Sequence, residues 1–380
     1  MSRRVVIVGA GLAGSRCAQT LRAEGFDGSI TLVGEEPHFP YERPALSKDF
    51  LAGAREEVLL QAQDLWTELE IDLQLGVRVD RIDVARRLVS TSRDDLAWDS
   101  LVLATGARAR RLPLFDGRGV HALRTLDDAR RLRGELVSGR RLAIVGSGFV
   151  GTEVASTAVG LGLEVAILDA ARLPFERTLG PEIGQVLAGR YRAHGVDLRF
   201  ETTVEAVRRD SAGALRALSL PGGGELECDL ALVAVGARPA GELLGVLGPV
   251  ETDEAGRTVL PNVYACGDVA APWNPALARH VRLEHWTSAS GQAAVVARAI
   301  LGADPTATSI PYFWSDQFGL RLQHVGSAEG WERIDVDGDE TSLTAQYYAG
   351  DGRLVAALLV NRPNQAAAFR RQLTPGLIAA

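Results

Sequence analysis

Residues 4–35, RVVIVGAGLAGSRCAQTLRAEGFDGSITLVGE, contain the pattern that decides the fold. Residues 5–8 form a short β-branched run of the kind that occupies buried parallel strands. Gly9, Gly11 and Gly14 follow as G-x-G-x-x-G. The first glycine permits a tight turn, the second lets the backbone approach a pyrophosphate, and the third lets the next helix pack closely. The pattern predicts a strand, a turn and a helix around a dinucleotide.

The second half of this stretch favours the same interpretation. Residues 30–33 predict a second parallel strand, and Glu35 follows it where a carboxylate accepts hydrogen bonds from a ribose. The helix after the turn would offer free N–H groups and the positive end of its dipole to the phosphates. The alternative is a glycine-rich turn in an ordinary α/β protein, but the strand, the helix and the acid together favour a dinucleotide site.

Residues 141–169 repeat the whole pattern. An apolar strand precedes Gly146, Gly148 and Gly151, and a helical segment follows them. Asp169 comes directly after the next predicted strand. An internal repeat of this size predicts two dinucleotide-binding domains in one chain.

Asp169 also bears on the choice of coenzyme. A carboxylate at this position binds an unphosphorylated ribose and repels a 2′-phosphate, which favours NAD over NADP. Arg172 is close in the sequence and would soften this preference. NAD is therefore the predicted coenzyme of the second domain.

The composition limits the class of protein. A length of 380 residues predicts two or three domains. The net charge of −7 and an isoelectric point of about 5.5 argue against a general nucleic-acid-binding protein. No apolar run reaches the length of a membrane span. Arg3 and Arg4 fit the first strand better than a twin-arginine signal, so we expect a cytoplasmic protein.

The cysteines exclude one class of redox chemistry. Cys17, Cys228 and Cys266 are far apart and form no C-x-x-C. They predict neither a zinc site nor a local redox-active dithiol, and we expect three small buried side chains. No metal ligand is predicted.

The segment after Glu35 predicts an extended loop with a function. Prolines at positions 37, 40 and 44 oppose regular structure up to Lys48. Lys48 is the residue of this loop that stands out, and the alternative to a functional role is a solvated surface lysine. Glu153, early in the second predicted helix, is either a contact near the nicotinamide or a carboxylate that complements the helix dipole.

The rest of the chain supplies further strands and a different C-terminal part. Residues 99–106 and 229–236 are matching apolar strands that end in glycine, and Asp268 follows a third. Asp268 is either a ribityl ligand or a turn residue that caps a helix. After residue 312 the pattern becomes short and alternating, which predicts an antiparallel meander with a terminal helix at about 365–372. Trp314, at its start, is either a core residue or a residue with a functional role.

Seven motifs, spread in order over nearly the whole chain, resemble those of the NADH-dependent ferredoxin reductases of bacterial monooxygenase and dioxygenase systems. They are GAGLAG at 9–14, PYERPALSK at 40–48, LATG at 103–106, GSGFVGTEVA at 146–155, ACGDVA at 265–270, RLEHW at 282–286 and YFWSDQ at 312–317. PYERPALSK and FWSDQ are the most specific of them. The C-terminus is shorter than usual for these reductases.

This resemblance implies an α/β fold like that of glutathione reductase. It would have two Rossmann-like domains and a C-terminal α+β domain with an antiparallel sheet. The implied divisions are residues 1–112 and 239–309 for the two parts of the FAD domain, 113–238 for the NAD(H) domain and 310–380 for the C-terminal domain.

The resemblance also assigns cofactor contacts by position. The implied FAD contacts are Gly9, Gly11, Ala13, Gly14, Glu35, Lys48, Val79, Ala104, Thr105, Gly106, Arg124, Gly267, Asp268, Glu284, His285, Trp286 and Trp314. The implied NAD contacts are Gly146, Gly148, Phe149, Val150, Gly151, Glu153, Asp169 and Gly236. Lys48 and Glu153 would be catalytic partners across the nicotinamide pocket, and Trp314 would lie on the ferredoxin-facing side.

The implied reaction moves a hydride from NADH through FAD to a [2Fe–2S] ferredoxin as single electrons. Rubredoxin is an alternative acceptor, and the protein would be a monomer or homodimer. Two other functions stay open: a redox-switched interaction protein like apoptosis-inducing factor, and an NADH oxidase. The missing dithiol and the cysteine-free loop weaken the disulfide reductase and peroxidase interpretations.

Ferredoxins are usually acidic, so the docking face of a reductase should be locally basic. The sequence offers a set of arginines as candidates for such a face near the flavin edge. They are Arg279, Arg282, Arg321, Arg362, Arg370 and Arg371.

Overall fold

The computed structural model describes residues 3–275, 277–303 and 310–378. Two five-stranded parallel sheets and a five-stranded antiparallel sheet form its framework, with smaller sheets at the junctions. The helices are α1 Leu12–Ala23, α2 Leu65–Glu68, α3 Leu126–Glu135, α4 Phe149–Gly160, α5 Glu176–Leu179, α6 Pro181–Ala193, α7 Trp286–Ile300 and α8 Ala366–Ile378. Short 3₁₀ helices span Arg43–Ser47, Pro221–Gly223, Glu242–Leu244 and Pro363–Gln365.

The strands are short, as is usual in sheets that helices cover. In chain order they are β1 Arg4–Val8, β2 Ser29–Gly34, β3 Ile71–Leu75, β4 Val79–Asp83, β5 Leu88–Thr91, β6 Asp95–Ala97, β7 Ser100–Leu103, β8 Ala107–Ala109, β9 Val120–His121, β10 Arg141–Val145, β11 Glu164–Leu168, β12 Asp197–Arg199, β13 Ala206–Arg209, β14 Leu215–Leu220, β15 Gly224–Glu227, β16 Leu230–Val233, β17 Ala237–Pro239, β18 Val250–Thr252, β19 Val263–Ala265, β20 Ala270–Asn274, β21 Arg279–His280, β22 Tyr312–Gln317, β23 Leu320–Gly326, β24 Arg333–Gly338, β25 Leu343–Tyr348 and β26 Leu354–Val360.

The first parallel sheet has the order β19-β7-β1-β2-β3. β1 lies between β2 and β7 because its β-branched residues are buried on both faces, as parallel strands require. The outer strand β19 comes from far along the chain, and α7, which follows it, packs against α1. The first glycine turn therefore lies at the carboxyl edge of a sheet built from two distant segments.

The second parallel sheet repeats this plan with the order β12-β11-β10-β16-β9. β10 pairs with β11 on one side and β16 on the other, so the second glycine turn also leaves the central strand. The sequence analysis did not predict the antiparallel sheet β13-β14-β15, which inserts between β12 and β16.

A two-stranded ribbon joins the segments that connect the two sheets. β8 and β17 pair antiparallel, with Ala109 opposite Ala237 and Ala107 opposite Pro239. The sequence analysis did not predict this ribbon. Pairing of the outgoing and returning chains makes this junction a defined structural element.

The antiparallel sheet has the order β22-β23-β26-β25-β24, and α8 packs against β23 and β26. This confirms the predicted α+β part of the fold, although α8 continues beyond the predicted end. In β22 every second residue is buried, so Phe313, Ser315 and Gln317 share one face and Tyr312, Trp314 and Asp316 share the other. In the part of the chain that the structure describes, no helix is long and apolar enough to cross a membrane.

Candidate functional site

The first glycine turn has the backbone that a dinucleotide requires. Gly9 has φ of +113°, and a Cβ there would lie 2.2 Å from the carbonyl oxygen of Ala104. A Cβ on Gly14 would lie 2.0 Å from the Gly9 oxygen, so α1 packs directly on the turn. A Cβ on Gly11 would meet nothing within 4 Å. The first and third glycines serve the protein's own packing, and the second faces open space.

The second glycine turn repeats these relations. Gly146 has φ of +108°, and its Cβ would lie 2.5 Å from the Ala234 oxygen. A Cβ on Gly151 would lie 2.2 Å from the Gly146 oxygen, whereas one on Gly148 would meet nothing within 4 Å. In both turns, therefore, the first and third glycines allow close packing of the backbone and the second glycine faces open space.

Both helices that follow the turns have open N-termini. α1 and α4 are each 12 residues long, and neither has a side-chain N-cap or an acidic residue in its first turn. Their free N–H groups and positive dipole ends are available to an anion. The two turns therefore fit the pyrophosphates of two dinucleotides.

The two ribose acids differ in their surroundings. Glu35 is exposed, and its Oε2 lies 3.8 Å from Nη2 of Arg108. Asp169 is fixed: its Oδ2 accepts hydrogen bonds of 2.7 Å from both the backbone N and the Oγ of Ser147, and its Oδ1 accepts one of 2.9 Å from Ala171 N. A carboxylate fixed at this position would repel a 2′-phosphate, which is consistent with the predicted preference for NAD.

The loop after Glu35 is held by a polar network. Tyr41 donates a 2.6 Å hydrogen bond to Glu36 Oε2, and Arg43 donates one of 2.7 Å to Glu36 Oε1. Arg43 also donates to the carbonyl oxygen of Arg124 at 2.5 Å, and Leu126 N donates to the Tyr41 hydroxyl. Burial raises the pKa of Tyr41, which keeps its hydroxyl protonated. These bonds fix the loop against α3.

Arg124 connects this network to Asp268. Its Nη2 lies 2.7 Å from Asp268 Oδ2, and its Nε donates to Ala107 O. Arg282 donates to the Asp268 carbonyl at 2.6 Å, while its Nη2 is buried with no hydrogen-bond partner among the described residues. The two N–H groups of this nitrogen are therefore available to a bound group. A Cβ on Gly267 would lie 2.9 Å from Cβ of Ala13, which places this turn against the start of α1.

Lys48 and Glu153 form a buried ion pair. Lys48 Nζ lies 2.6 Å from Glu153 Oε2, and the two side chains are 17% and 7% exposed. Ser47 donates a 2.6 Å hydrogen bond to the same oxygen. Thr157, one helical turn along α4, donates to the Ser47 carbonyl at 2.8 Å. The two residues proposed as catalytic partners from the resemblance are therefore in direct contact.

Strand β22 supplies a further hydrogen bond to Glu153. Ser315, on the buried face of β22, donates a 2.6 Å hydrogen bond to Glu153 Oε1. Gln317 donates to the Ser315 Oγ at 3.1 Å, and the Tyr191 hydroxyl donates to Gln317 Oε1 at 2.7 Å. Residues from three separate parts of the chain thus meet at one carboxylate.

The opposite face of β22 carries an aromatic group. The Trp314 ring centroid lies 6.2 Å from that of Trp286, edge to face, and 6.2 Å from that of Tyr312. The guanidinium of Arg370 lies over the Tyr312 ring at 4.0 Å. The structure therefore brings together the two tryptophans that the resemblance assigned to the flavin.

The structure places the other predicted contact residues at the ends of strands and at the starts of helices. Ala104 and Thr105 follow β7, and Thr105 Oγ1 donates to Ala240 O at 2.7 Å. Glu284 forms a 2.7 Å ion pair with Arg282. The remaining positions are Gly106, which has a positive φ, Val79 at the start of β4, His285 just before α7, Phe149 and Val150 at the start of α4, and Gly236 after β16.

Two histidines pack against the ring of Phe313. His324 stacks on the Phe313 ring with centroids 4.9 Å apart and an interplanar angle of 12°, and His285 lies 4.9 Å away on the same ring. Neither ring nitrogen of His324 has a hydrogen-bond partner among the described residues. Burial, with a smaller contribution from His285, lowers the pKa of His324 to about 3. Burial likewise lowers the pKa of His285 to about 4.

A His324→Phe variant should reduce the acid sensitivity of the fold. In the unfolded chain this histidine has a pKa near 6.5, so below that pH the unfolded state binds the proton and the folded state does not. Stability from the neutral imidazole is therefore present above pH ~6.5 and falls toward pH ~3. Between pH 7 and pH 5 the parent should lose about 2 kcal/mol that the variant keeps.

This result is measured by urea unfolding at the two pH values. Phenylalanine preserves the stacking on Phe313 and removes only the titration. An equal loss of unfolding free energy in parent and variant would contradict the expectation.

The arginines predicted to form a docking face mostly have acidic partners. Arg279 pairs with Glu329, and Arg282 pairs with Glu284. Arg321 lies 3.3 Å from Asp316, and Arg362 lies 2.6 Å from Asp337. These pairs contribute little net positive charge. A single basic cluster at the flavin edge remains a hypothesis.

Comparison with known proteins identifies the family. The pattern of the pyridine nucleotide-disulphide oxidoreductases matches residues 3–293. This chain belongs to that family. A second pattern, the reductase C-terminal domain, matches residues 312–377. Family membership confirms the predicted α/β fold and the predicted cofactors, FAD and NADH.

The relatives are similar over nearly their whole length. The chain is 38% identical to the ferredoxin–NAD(+) reductase component of the anthranilate 1,2-dioxygenase system of Burkholderia cepacia, covering 98% of this chain and 94% of the relative. It is 40% identical to the corresponding biphenyl dioxygenase component of Paraburkholderia xenovorans strain LB400, covering 89% and 84%. The structure matches that of the covalent putidaredoxin reductase–putidaredoxin complex with a TM-score of 0.94 at 35% identity, covering 98% and 93%.

The sequence analysis missed the polar residues that surround Glu153. Ser47 and Ser315 both lie inside motifs that were recognised, but no role was assigned to them. The available signal was the alternation in β22, where Ser315 and Gln317 are polar residues at buried positions. Buried polar groups require partners, so polar residues on the core face of a strand indicate a buried network. Tyr191, on α6, gave no such signal.

Proposed function

We propose that this protein is an NADH-dependent ferredoxin reductase that supplies electrons to an oxygenase system. The proposal rests on two glycine turns that each leave space for a dinucleotide, in a chain that has no C-x-x-C pair to pass electrons to a disulfide. Cys17, Cys228 and Cys266 are all free and buried, and burial raises the pKa of each thiol. A disulfide reductase needs a reactive thiolate next to its flavin, and these cysteines are unsuited to that role.

FAD would bind at the first glycine turn and NADH at the second. When bound, FAD accepts a hydride from NADH and returns electrons singly, which is what an iron–sulfur acceptor requires. Gly11 and α1 would hold the FAD pyrophosphate, with Asp268 near the ribityl chain. Gly148 and Asp169 would hold NADH.

Lys48 and Glu153 would form one wall of the nicotinamide pocket. Their ion pair is buried and hydrogen-bonded at both carboxylate oxygens, so it is preorganised before any ligand binds. Their task is to orient the nicotinamide and to provide fixed charge beside it, because the bond chemistry belongs to the cofactors. Trp314, on the other face of β22, would lie toward the electron acceptor.

The deciding experiment measures cytochrome c reduction by NADH with and without a panel of [2Fe–2S] ferredoxins and a rubredoxin. We expect at least one ferredoxin to stimulate the rate strongly and oxygen consumption without a carrier to stay low. Lack of stimulation by every carrier would rule out the proposal. A high carrier-free oxygen rate would instead indicate an NADH oxidase, and a long-lived reduced complex that no carrier discharges would indicate a redox-switched interaction protein.

The matched control for this assay is a Gly148→Ala variant. Its new methyl group would point into the open space of the second glycine turn. The variant should keep its flavin and lose NADH-driven reduction of every acceptor. We also propose that the protein acts in the cytoplasm, where NADH and reduced ferredoxins are available.

A further inference from the structure

We infer that Ser315 is a positioning residue for hydride transfer and that it acts through Glu153. This inference rests on the proposed function, because it concerns the pocket assigned to NADH. Ser315 is fully buried and is the residue of β22 that reaches the Lys48–Glu153 pair. The C-terminal part of the chain thus contributes directly to the nicotinamide side of the site.

The two oxygens of the Glu153 carboxylate have different partners. Oε2 lies 2.6 Å from both Lys48 Nζ and Ser47 Oγ, whereas Oε1 accepts its hydrogen bond from Ser315. The terminal torsion of a glutamate is soft and broad, so contacts at one oxygen alone leave the carboxylate free to rotate. Ser315 removes that freedom and keeps Oε2 directed at Lys48.

The hydrogen bonds behind Ser315 all run in one direction. Tyr191 donates to Gln317, Gln317 donates to Ser315, and Ser315 donates to Glu153. An ionised carboxylate only accepts, so this polarity matches a negative Glu153 at the end of the chain. Burial raises the pKa of Tyr191, which keeps the first donor protonated. The network therefore holds the Ser315 hydroxyl in its donating orientation.

The strand that carries Ser315 is itself fixed. Phe313, two residues earlier on the same face, contacts Phe149 of α4 edge to face with centroids 4.8 Å apart. Phe318, just beyond the strand, donates its backbone N–H to Ser156 Oγ of α4 at 2.7 Å. Contacts on both sides of Ser315 set the distance between β22 and α4, so the hydroxyl meets Glu153 without movement of the backbone.

The test compares Ser315→Ala with the parent in the flavin-loaded enzyme. The rate constant for anaerobic flavin reduction by NADH should fall by roughly tenfold or more, because a hydrogen bond to a charged group is lost. Reoxidation of the reduced enzyme by ferricyanide should stay within about twofold of the parent, since that step does not use the nicotinamide pocket. Tyr191→Phe, which removes only the far end of the network, should give a smaller loss of about two- to threefold.

Thr344→Val is the matched control. Thr344 is buried in the same sheet, but its hydroxyl donates to Gln365 rather than to the site. Its loss should leave both half-reactions unchanged. Ser315→Thr keeps a hydroxyl and should recover most of the rate of flavin reduction.

A second measurement does not depend on turnover. The crystal structure of the Ser315→Ala protein without cofactors should show the Glu153 carboxylate rotated and its contact with Lys48 lengthened. The inference is overturned if Ser315→Ala keeps the parental rate of flavin reduction, if Thr344→Val loses the same rate, or if both half-reactions of Ser315→Ala slow equally. Flavin reduction by NADH needs no ferredoxin, so failure of the ferredoxin assay would reject the proposed acceptor without affecting this test.

Discussion

A Lys48→Met variant is expected to lose about 3–5 kcal/mol of unfolding free energy. Lys48 Nζ lies 2.6 Å from Glu153 Oε2, and both side chains are largely buried. Methionine fills a similar volume but leaves the carboxylate as a buried charge without its counter-ion. The Ser47 and Ser315 hydroxyls still donate to Glu153, which places the expected loss toward the lower end of the range.

The double variant Lys48→Met/Glu153→Leu separates charge from packing. Replacing both partners by apolar residues should restore most of the lost stability, because no isolated charge remains. Arg172→Ala is the comparison for an exposed pair. Arg172, which precedes α5, and Glu176 at its start form an exposed pair with the arginine 63% exposed, so their separation should cost only about 0.2–1 kcal/mol.

Urea unfolding in saturating FAD measures all three proteins under one condition. A Lys48→Met loss no larger than that of Arg172→Ala would mean that water solvates the pair. A double variant less stable than Lys48→Met alone would mean that packing, rather than charge, dominates at this position.

A Gly11→Ala variant should lose FAD affinity and keep its fold. A Cβ at this position meets no protein atom within 4 Å, so the apoprotein should be as stable as the parent. The same methyl group would stand where the backbone must approach the pyrophosphate. Loss of one charged hydrogen bond predicts roughly tenfold to 200-fold weaker binding of FAD, measured by titration of the apoprotein.

Two other glycines provide the comparison. Gly14→Ala should unfold the protein or destabilise it strongly, because its Cβ would lie 2.0 Å from the backbone oxygen of Gly9. Gly189→Ala, in α6 with open space around it, should be neutral or slightly stabilising and should not change FAD affinity. Equal FAD affinity of Gly11→Ala and Gly189→Ala would contradict the assignment of the first turn to FAD.

The sequence predicted best those features that depend on short stretches of backbone. Each glycine turn, with its strand and helix, is specified within about 30 residues, because the tight turn and the close helix packing are local requirements. The same holds for the alternating strands after residue 312. The internal repeat also indicated that β1 and β10 would occupy matching positions, and each lies at the centre of its parallel sheet.

Contacts between distant segments were much less accessible. The ribbon of β8 and β17 pairs residues that are about 130 positions apart, and no local sequence pattern predicts that pairing. The sheet β13-β14-β15 is built from charged and glycine-containing strands that carry only weak alternation. Lys48 and Glu153 were paired through the resemblance to known reductases and not through their own surroundings. The bridge from Ser315 to Glu153 depends on the packing of β22 against α4, which only the three-dimensional structure shows.

The alternation of β22 limits how this protein can be engineered or can diverge. Successive residues of one strand point to opposite sides: Trp314 toward the side proposed for the electron acceptor, and Ser315 toward the residue that pairs with Lys48. A chimera that receives the C-terminal segment of a relative in order to change its redox partner also receives a new neighbour for Glu153. If the proposed roles of Trp314 and Ser315 hold, acceptor choice and the use of NADH would be inherited together, and a graft that ignores residue 315 would alter both.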